Sequence, residues 1–291
     1  MDKFRRLQQF LRQPDVRSNP LKALGRRVRW RWHWRLHPGE LLLVKDWYNG
    51  LQLFLPQSGC AAQVYNRRYS SPEVVDWMGR LLKPGMTFVD VGAHIGEYSL
   101  IAAALVGQLG RVHAIEPQPD MAELIGKNAV LNQLSWVTVQ CSAVANRAGK
   151  AQFTRDVRGK GGWLSDSVAG EKFEVDVVTL EEICVGLDWP RLDFIKLDAA
   201  GNELAAVQGG TRLLTAAAAP TLLVKFYHPQ VVQERFGVDN SELRRLLEQW
   251  GYRLFRFSGR GLQAFDGEVA GYGIAVLASK DPAVLKSAHV G

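Results

Sequence analysis

The sequence predicts an α/β fold with a mostly parallel sheet covered by helices on both faces, and three observations carry that expectation. Short apolar runs of strand length alternate with helical patterns from residue 86 onward. The first of these runs ends in a glycine turn, Gly92 to Gly96, that opens into a helix. Carboxylates close several of the runs, at Asp90, Glu116 and Asp198, where open parallel sheets bind their ligands.

Taken in chain order, residues 3–12 read as a short amphipathic helix, broken by Pro14 and Pro20. In RRVRWRWHWR, residues 26–35, strict alternation sets Val28, Trp30, Trp32, Trp34 and Leu36 against Arg27, Arg29, Arg31, His33 and Arg35. That period of two predicts a strand. LLLVK (41–45) and LQLFLP (51–56) predict two more strands around the favoured turn pair Asn49-Gly50. Residues 1–70 are therefore expected to form a small, basic, Trp-rich β extension. From Ser71-Pro72 a helical pattern runs to Leu82 and stops at Lys83-Pro84-Gly85. Strands and helices then alternate: strand 86–91, helix 96–106, strand 111–116, helix 119–132, strand 136–141. Strands near 150–154 and 173–178, a short helix after Thr179, strand 192–198, helix 201–214, strand 221–226, helix 240–250 and strands near 252–257 and 273–278 complete residues 71–280. Residues 281–291 read as a tail.

The net charge of +7 is uneven, about +10 over residues 1–84 and −3 over the rest. Basicity therefore speaks of partners and little of the core. The Arg/Trp run, residues 26–35, could meet an anionic membrane or glycolipid, could bind nucleic acid less plausibly, or could simply pack as a strand. The apolar stretch Leu213–Val224 is too short to cross a bilayer, and the N-terminus lacks the apolar region of a signal peptide. A cytoplasmic protein is expected, with the leader allowing peripheral contact at the inner membrane face. Cys60, Cys141 and Cys184 are widely spaced and read as packing residues, with no metal site.

The segment FVDVGAHIGEYSL, residues 88–100, is the strongest local signal. A chain turning sharply from strand to helix needs glycine where φ is positive or where something approaches closely, which Gly92 and Gly96 supply. A dinucleotide fingerprint would require further glycines, but His94 and Glu97 stand in those places. The turn suits a nucleoside cofactor without a pyrophosphate, such as S-adenosylmethionine (SAM), whose amino-acid end could be met by loop amides and Asp90. Glu116, closing the second strand, could accept the ribose hydroxyls. A structural turn remains the bland alternative.

With these residues on the page, the chain resembles the FkbM family of SAM-dependent methyltransferases over roughly residues 39–257. The resemblance rests on KPGMTFVDVGAHIGEYSL, AIEP, VDVVTLEEI, DFIKLDAAGNELAAVQGG and APTLLVKFYHP, in that order. It implies a Rossmann-like class I methyltransferase fold with a seven-stranded sheet, SAM as cofactor, and methyl transfer to oxygen on sugars, glycolipids or secondary metabolites. By position it implies that Asp90, Gly92, Ala93, His94, Gly96 and Glu116 belong to the SAM site, with Ser142 and Ala143 near the adenine and Lys196 and Asp198 facing the methyl group. Two departures stand out: Ala200 replaces a carboxylate usual in the fourth block, and Lys225 replaces a glutamate usual at the end of the next strand. These leave open a redirected acceptor or a SAM-binding protein with reduced or lost catalysis. An RNA methyltransferase is a further alternative, suggested by the basic leader.

A hydroxyl acceptor is a poor nucleophile at neutral pH, so a base would speed transfer, typically by about 10²–10⁴-fold. Asp198 is the first candidate, with an N-cap role as its alternative. His228 is the second, alternatively a loop histidine beside Pro229. Glu203 is the third, alternatively an exposed helix residue. The glycine-rich segment 155–167 carries Trp163, either on a flap closing over substrate or on a plain surface loop. If Lys225 turns toward the acceptor, it would favour an anionic one; otherwise its stem covers the sheet end and its ammonium meets solvent.

Overall fold

The structure, a computed structural model, describes residues 19–155, 162–164, 170–187, 191–236, 240–258, 261–269 and 271–281, with Val16 and Val284. The expected helix 3–12 and most of the tail lie outside these residues. The chain divides into two compact units near Pro72.

The first unit contains helix α1 (Pro20–Leu36), strands β1 (Leu42–Tyr48) and β2 (Leu51–Leu55), and helix α2 (Gly59–Arg67). The hairpin forms as expected: β1 and β2 pair antiparallel, and Asn49 and Gly50 both take positive φ, 45° and 87°. The strand expected over residues 26–35 is instead most of α1. Local start signals overrule the alternation: Pro20 stands in the first turn, and the Asn19 side chain accepts from the Lys22 N–H at 3.0 Å. A strand here would have needed a neighbour for its backbone groups, whereas a helix satisfies them internally. The tryptophans then meet at helical spacing. Trp30 and Trp34 pack edge to face at 5.1 Å, and Trp30 lies against Tyr65 of α2 at 5.3 Å.

The second unit runs α3 (Pro72–Leu81), β3 (Thr87–Val91), α4 (Glu97–Val106), β4 (Arg111–Ile115), α5 (Pro119–Leu131), β5 (Val137–Gln140), β6 (Ala143–Val144), β7 (Gly149–Arg155), β8 (Gly162–Leu164), β9 (Glu171–Val178) and α6 (Leu180–Leu187). It continues with β10 (Phe194–Leu197), α7 (Glu203–Gln208), α8 (Thr211–Thr215), β11 (Thr221–Tyr227), α9 (Pro229–Phe236), α10 (Asn240–Gln249), β12 (Arg253–Ser258), β13 (Gly261–Ala264) and β14 (Gly273–Ser279). The helix expected over 201–214 is broken in two at Gly209-Gly210, a pair of poor helix formers.

The main sheet has the order β13-β12-β14-β11-β10-β3-β4-β5. Strands β11, β10, β3, β4 and β5 are parallel, while β14 runs antiparallel between β11 and β12. Seven strands follow the class I methyltransferase order, and the short β13 adds an eighth at the edge. The runs near 150–154 and 173–178 do not join this sheet. They form β7 and β9 of a separate four-stranded sheet, β6-β9-β7-β8, because their antiparallel register ties them to each other. Every residue of β3 is buried, and Phe88 stacks on Phe194 of β10 with centroids 5.6 Å apart. β3 and β10 are parallel neighbours, but successive strands are laid down outward from them in opposite directions, β3-β4-β5 to one side and β10-β11 to the other, which opens a crevice at their carboxyl ends.

Candidate active site

At the carboxyl end of β3 the backbone has no room for a side chain. Gly92 takes φ +74°, and a Cβ there would lie 2.0 Å from the Asp198 carbonyl oxygen. The contact exists because the chain leaving β10 continues along the turn, with the Asp198 N–H donating to the Val91 carbonyl at 3.1 Å. The Gly92 and Ala93 N–H groups both donate to the Ile115 carbonyl, at 2.9 and 3.0 Å, fastening the turn to β4. His94 follows at φ +50°, and Gly96 at φ +81°, where a Cβ would press on Ile125 at 3.0 Å.

Two buried carboxylates hold this turn. Glu116 accepts from the His94 N–H at 2.7 Å through Oε2, and from the Gln118 N–H and side-chain amide at 3.1 and 3.0 Å through Oε1. A carboxylate has about four acceptor positions, so Oε2 keeps capacity for one further donor. Burial raises the Glu116 pKa, against the hydrogen bonds from Gln118 and His94. Asp90, wholly buried, accepts from the Ser99 hydroxyl at 2.7 Å and from Lys196 Nζ at 2.8 Å. Burial alone would lower the Lys196 pKa, but the charges of Asp90 and Asp198 outweigh it and raise the value, so the ammonium stays charged. Lys196 also reaches the Gly92 carbonyl at 3.4 Å and lies over the Tyr98 ring at 5.3 Å. Asp90 and Lys196 thus form a buried pair behind the turn.

In front of that pair stands Asp198, half-buried, whose Oδ1 accepts from the Tyr227 hydroxyl at 2.6 Å. Asp198 is not an N-cap: the next helix, α7, begins at Glu203 with Asn202 before it. Ala200 (φ +52°) and Gly201 (φ +102°) bend the chain between them. Burial, then the Asp198 charge, raises the Tyr227 pKa well above its ordinary value, so the phenol keeps its proton and donates. Glu203 is only 2% exposed, which corrects the expectation of an exposed helix residue; the small Ala206 and Val207 beside it draw this short helix into the core. Its carboxylate accepts from the Gly201 N–H at 3.0 Å, and burial with the nearby Asp198 charge raises its pKa to about 8.

Lys225 stands on the face of β11 that carries Tyr227, one step past the register pair Leu197↔Val224 and hence level with Asp198. Its ammonium lies over the Tyr227 ring at 6.0 Å and makes no ion pair among the described residues. His228 is half-buried, and its Nδ1 accepts from the Gln230 N–H at 3.3 Å. His94 has its pKa lowered to about 4, chiefly by burial, so it is neutral at pH 7.

Ser142, after β5, is 2% exposed, and its Oγ has no hydrogen-bond partner among the described residues. A buried hydroxyl left unpaired costs about 1–3 kcal/mol, so a ligand group that meets it would be favoured. With the spare acceptor capacity of Glu116 and the tight Gly92 turn, the donor set fits a nucleoside cofactor such as SAM. Ala143 begins β6 and pairs with Val177. Trp163 sits buried in β8, opposite Thr154 of β7, while residues 156–161 and 165–167 of the expected flap lie outside the described residues. Cys141 is exposed and Cys60 and Cys184 are half-buried, so Cys141 does not fill a core. Reading the sequence singled out neither Tyr227 nor Ser99 nor Gln118. Tyr227 had no local signal, since its role comes from Asp198, 29 residues away in the chain.

Residues 90–254 match the family described as the methyltransferase FkbM domain, more than half of the chain. A protein-L-isoaspartate O-methyltransferase from Methanococcoides burtonii is 34% identical over 77 residues, 26% of this chain and 38% of that relative, so the match spans well under half of the relative's length. Among solved structures, a SAM-dependent methyltransferase from Aquifex aeolicus shares 20% identity at TM-score 0.40, covering 71% of this chain and 87% of the other. A methyltransferase FkbM from Methylobacillus flagellatus shares 16% identity at TM-score 0.43, covering 77% of this chain and 56% of the other. The matched region starts at Asp90, behind the glycine turn, and runs through Glu116, Asp198 and Tyr227 to β12, and on that match this chain belongs to the FkbM family of SAM-dependent methyltransferases.

Proposed function

We propose that this chain methylates oxygen on a small acceptor, a saccharide, glycolipid or secondary metabolite, and that Asp198 takes the proton. The observation that carries this reading is the difference in access among the candidate bases. Asp198 is half-buried at the strand end, whereas Glu203 and Lys196 are enclosed and His228 Nδ1 already accepts from the Gln230 N–H. SAM, when bound, supplies a methyl group already activated by the sulfonium charge. The remaining work belongs to positioning: Gly92, Ala93 and His94 shape the turn, Ser142 and Glu116 would meet the nucleoside, and Tyr227 orients Asp198 toward the acceptor hydroxyl. Lys225, level with Asp198 and in no ion pair among the described residues, supports an acceptor that carries a phosphate or carboxylate.

The test is incubation of the protein and methyl-labelled SAM with a cell extract, followed by mass spectrometry of labelled products. A label on oxygen that disappears in Asp198→Asn, while SAM binding by calorimetry is retained, supports the reading. The second reading, SAM binding with lost catalysis, is favoured by Ala200, which leaves no carboxylate at the bend after Asp198. Tight SAM binding with no labelled product from any extract would select it.

A further inference from the structure

Helix α1 has two faces, and only one of them is packed against other described residues of its unit. Ala23 and Trp34 are buried, Trp30 packs on Tyr65, and Arg26 donates to the Asn66 carbonyl at 3.0 Å. On the opposite face Leu21, Leu24, Val28, Trp32 and Leu36 are exposed by 82, 52, 45, 53 and 65%. Their spacing of three, four, four and four residues makes a single stripe along the helix. At about 1.5 Å per residue the stripe is more than 20 Å long. An isolated exposed leucine is ordinary on a protein surface, but a continuous row along one helix is a contact surface.

The charges around the stripe name the partner. Lys22, Arg29, Arg31 and Arg35 are exposed along its two edges, and α1 contains no acidic residue. Arg35 also lies over the Trp32 ring at 5.8 Å, so its cation stands beside the aromatic edge of the stripe. A nucleic acid would satisfy the cations and stack on Trp32, yet it would leave the four aliphatic side chains in water. A neutral apolar protein surface would bury the stripe and strand the cations. An anionic lipid surface meets both, with headgroup phosphates against the arginines and acyl chains against the stripe. No helix among the described residues is long and apolar enough to cross a membrane, which is consistent with a helix lying in the interface plane.

We propose that α1 docks this protein on an anionic lipid surface through Leu21, Leu24, Val28, Trp32 and Leu36. The test is sedimentation of the full chain with phosphatidylcholine vesicles, with and without about one-third phosphatidylglycerol. Binding is expected to be at least about tenfold tighter to the anionic vesicles, and to weaken but persist in high salt because the apolar contacts are unscreened. The double variant Leu24→Glu, Val28→Glu should lose about tenfold or more of that binding with an unchanged circular dichroism spectrum, since both positions are already solvated. Arg31→Gln with Arg35→Gln is the second variant, and should abolish the preference for anionic over neutral vesicles. Failure of the parent to sediment, or equal sedimentation of parent and both variants, overturns the proposal. So does a chain that binds a short mixed-sequence RNA and ignores the vesicles, which would assign α1 to nucleic acid.

Discussion

The Tyr227 hydroxyl donates to Asp198 Oδ1 at 2.6 Å, which ties the end of β11 to the chain leaving β10. The bond is short, half-buried and directed at a carboxylate, so it belongs with the stronger hydrogen bonds. Tyr227→Phe should cost about 1.5–3 kcal/mol in urea unfolding, as loss of a bond to a charged group does. A double-mutant cycle with Asp198→Asn isolates the pair, and its coupling energy should exceed about 1 kcal/mol. Additivity of the two variants would mean the contact carries no energy of its own.

Gly92 makes a sharper demand. A methyl group there meets the Asp198 carbonyl at 2.0 Å while φ stays at +74°, so Gly92→Ala suffers both clash and strain. Gly85 provides the control, since it has φ +83° and a nearest atom 4.0 Å away. Gly85→Ala should show the strain alone, about 1 kcal/mol, in thermal or urea unfolding. Gly92→Ala should lose distinctly more stability, and in whatever folded protein remains, calorimetry should find SAM affinity reduced. Equal losses at the two glycines would mean that the approach of Asp198 relaxes at little cost.

The central sheet was legible because its signals are local: β3, β4, β10 and β11 are apolar runs of strand length, and Gly92 marks the turn. Signals that depend on partners were not. Residues 26–35 alternate like a strand, but the cap at Asn19 and Pro20 and the packing of Trp30 on Tyr65 make them a helix. β7 and β9 look like any other strands until their mutual register removes them from the main sheet. The same limit applies to the site. Glu116 and Asp198 could be named because carboxylates end strands, whereas the buried state of Glu203 depends on how a six-residue helix packs, and Tyr227 acquires a role only through an acid 29 residues away.

Ser142 separates binding from folding. Its hydroxyl is buried without a partner among the described residues, so Ser142→Ala removes no hydrogen bond from the unliganded protein and relieves a desolvated group. Urea unfolding without ligand should show the variant at least as stable as the parent. SAM binding should weaken by about 0.5–1.5 kcal/mol if the hydroxyl meets the cofactor. A variant that is destabilised without ligand, yet binds SAM unchanged, would remove Ser142 from the cofactor site.

Glu203 sets a pH dependence whose sign follows from burial. In the folded protein its pKa is raised from 4.5 to about 8, first by burial and then by the charge of Asp198. Between those values the folded chain holds a proton that the unfolded chain has released, so stability falls as pH rises. The contribution is complete below about pH 4.5 and is lost as pH climbs toward about 8. Glu203→Gln keeps an acceptor for the Gly201 N–H but has no proton to lose, so its urea-unfolding stability should decline less over that range. Relative to the parent, the variant should gain up to a few kcal/mol, since each tenfold difference in proton affinity between folded and unfolded chain corresponds to about 1.4 kcal/mol. Asp198→Asn removes the second cause and should reduce the parent's slope in part, leaving the share due to burial. Stability curves for Glu203→Gln and parent that run parallel from pH 5 to 8 would show that Glu203 is ionised in the folded state, with its charge met by the backbone amides around Gly201.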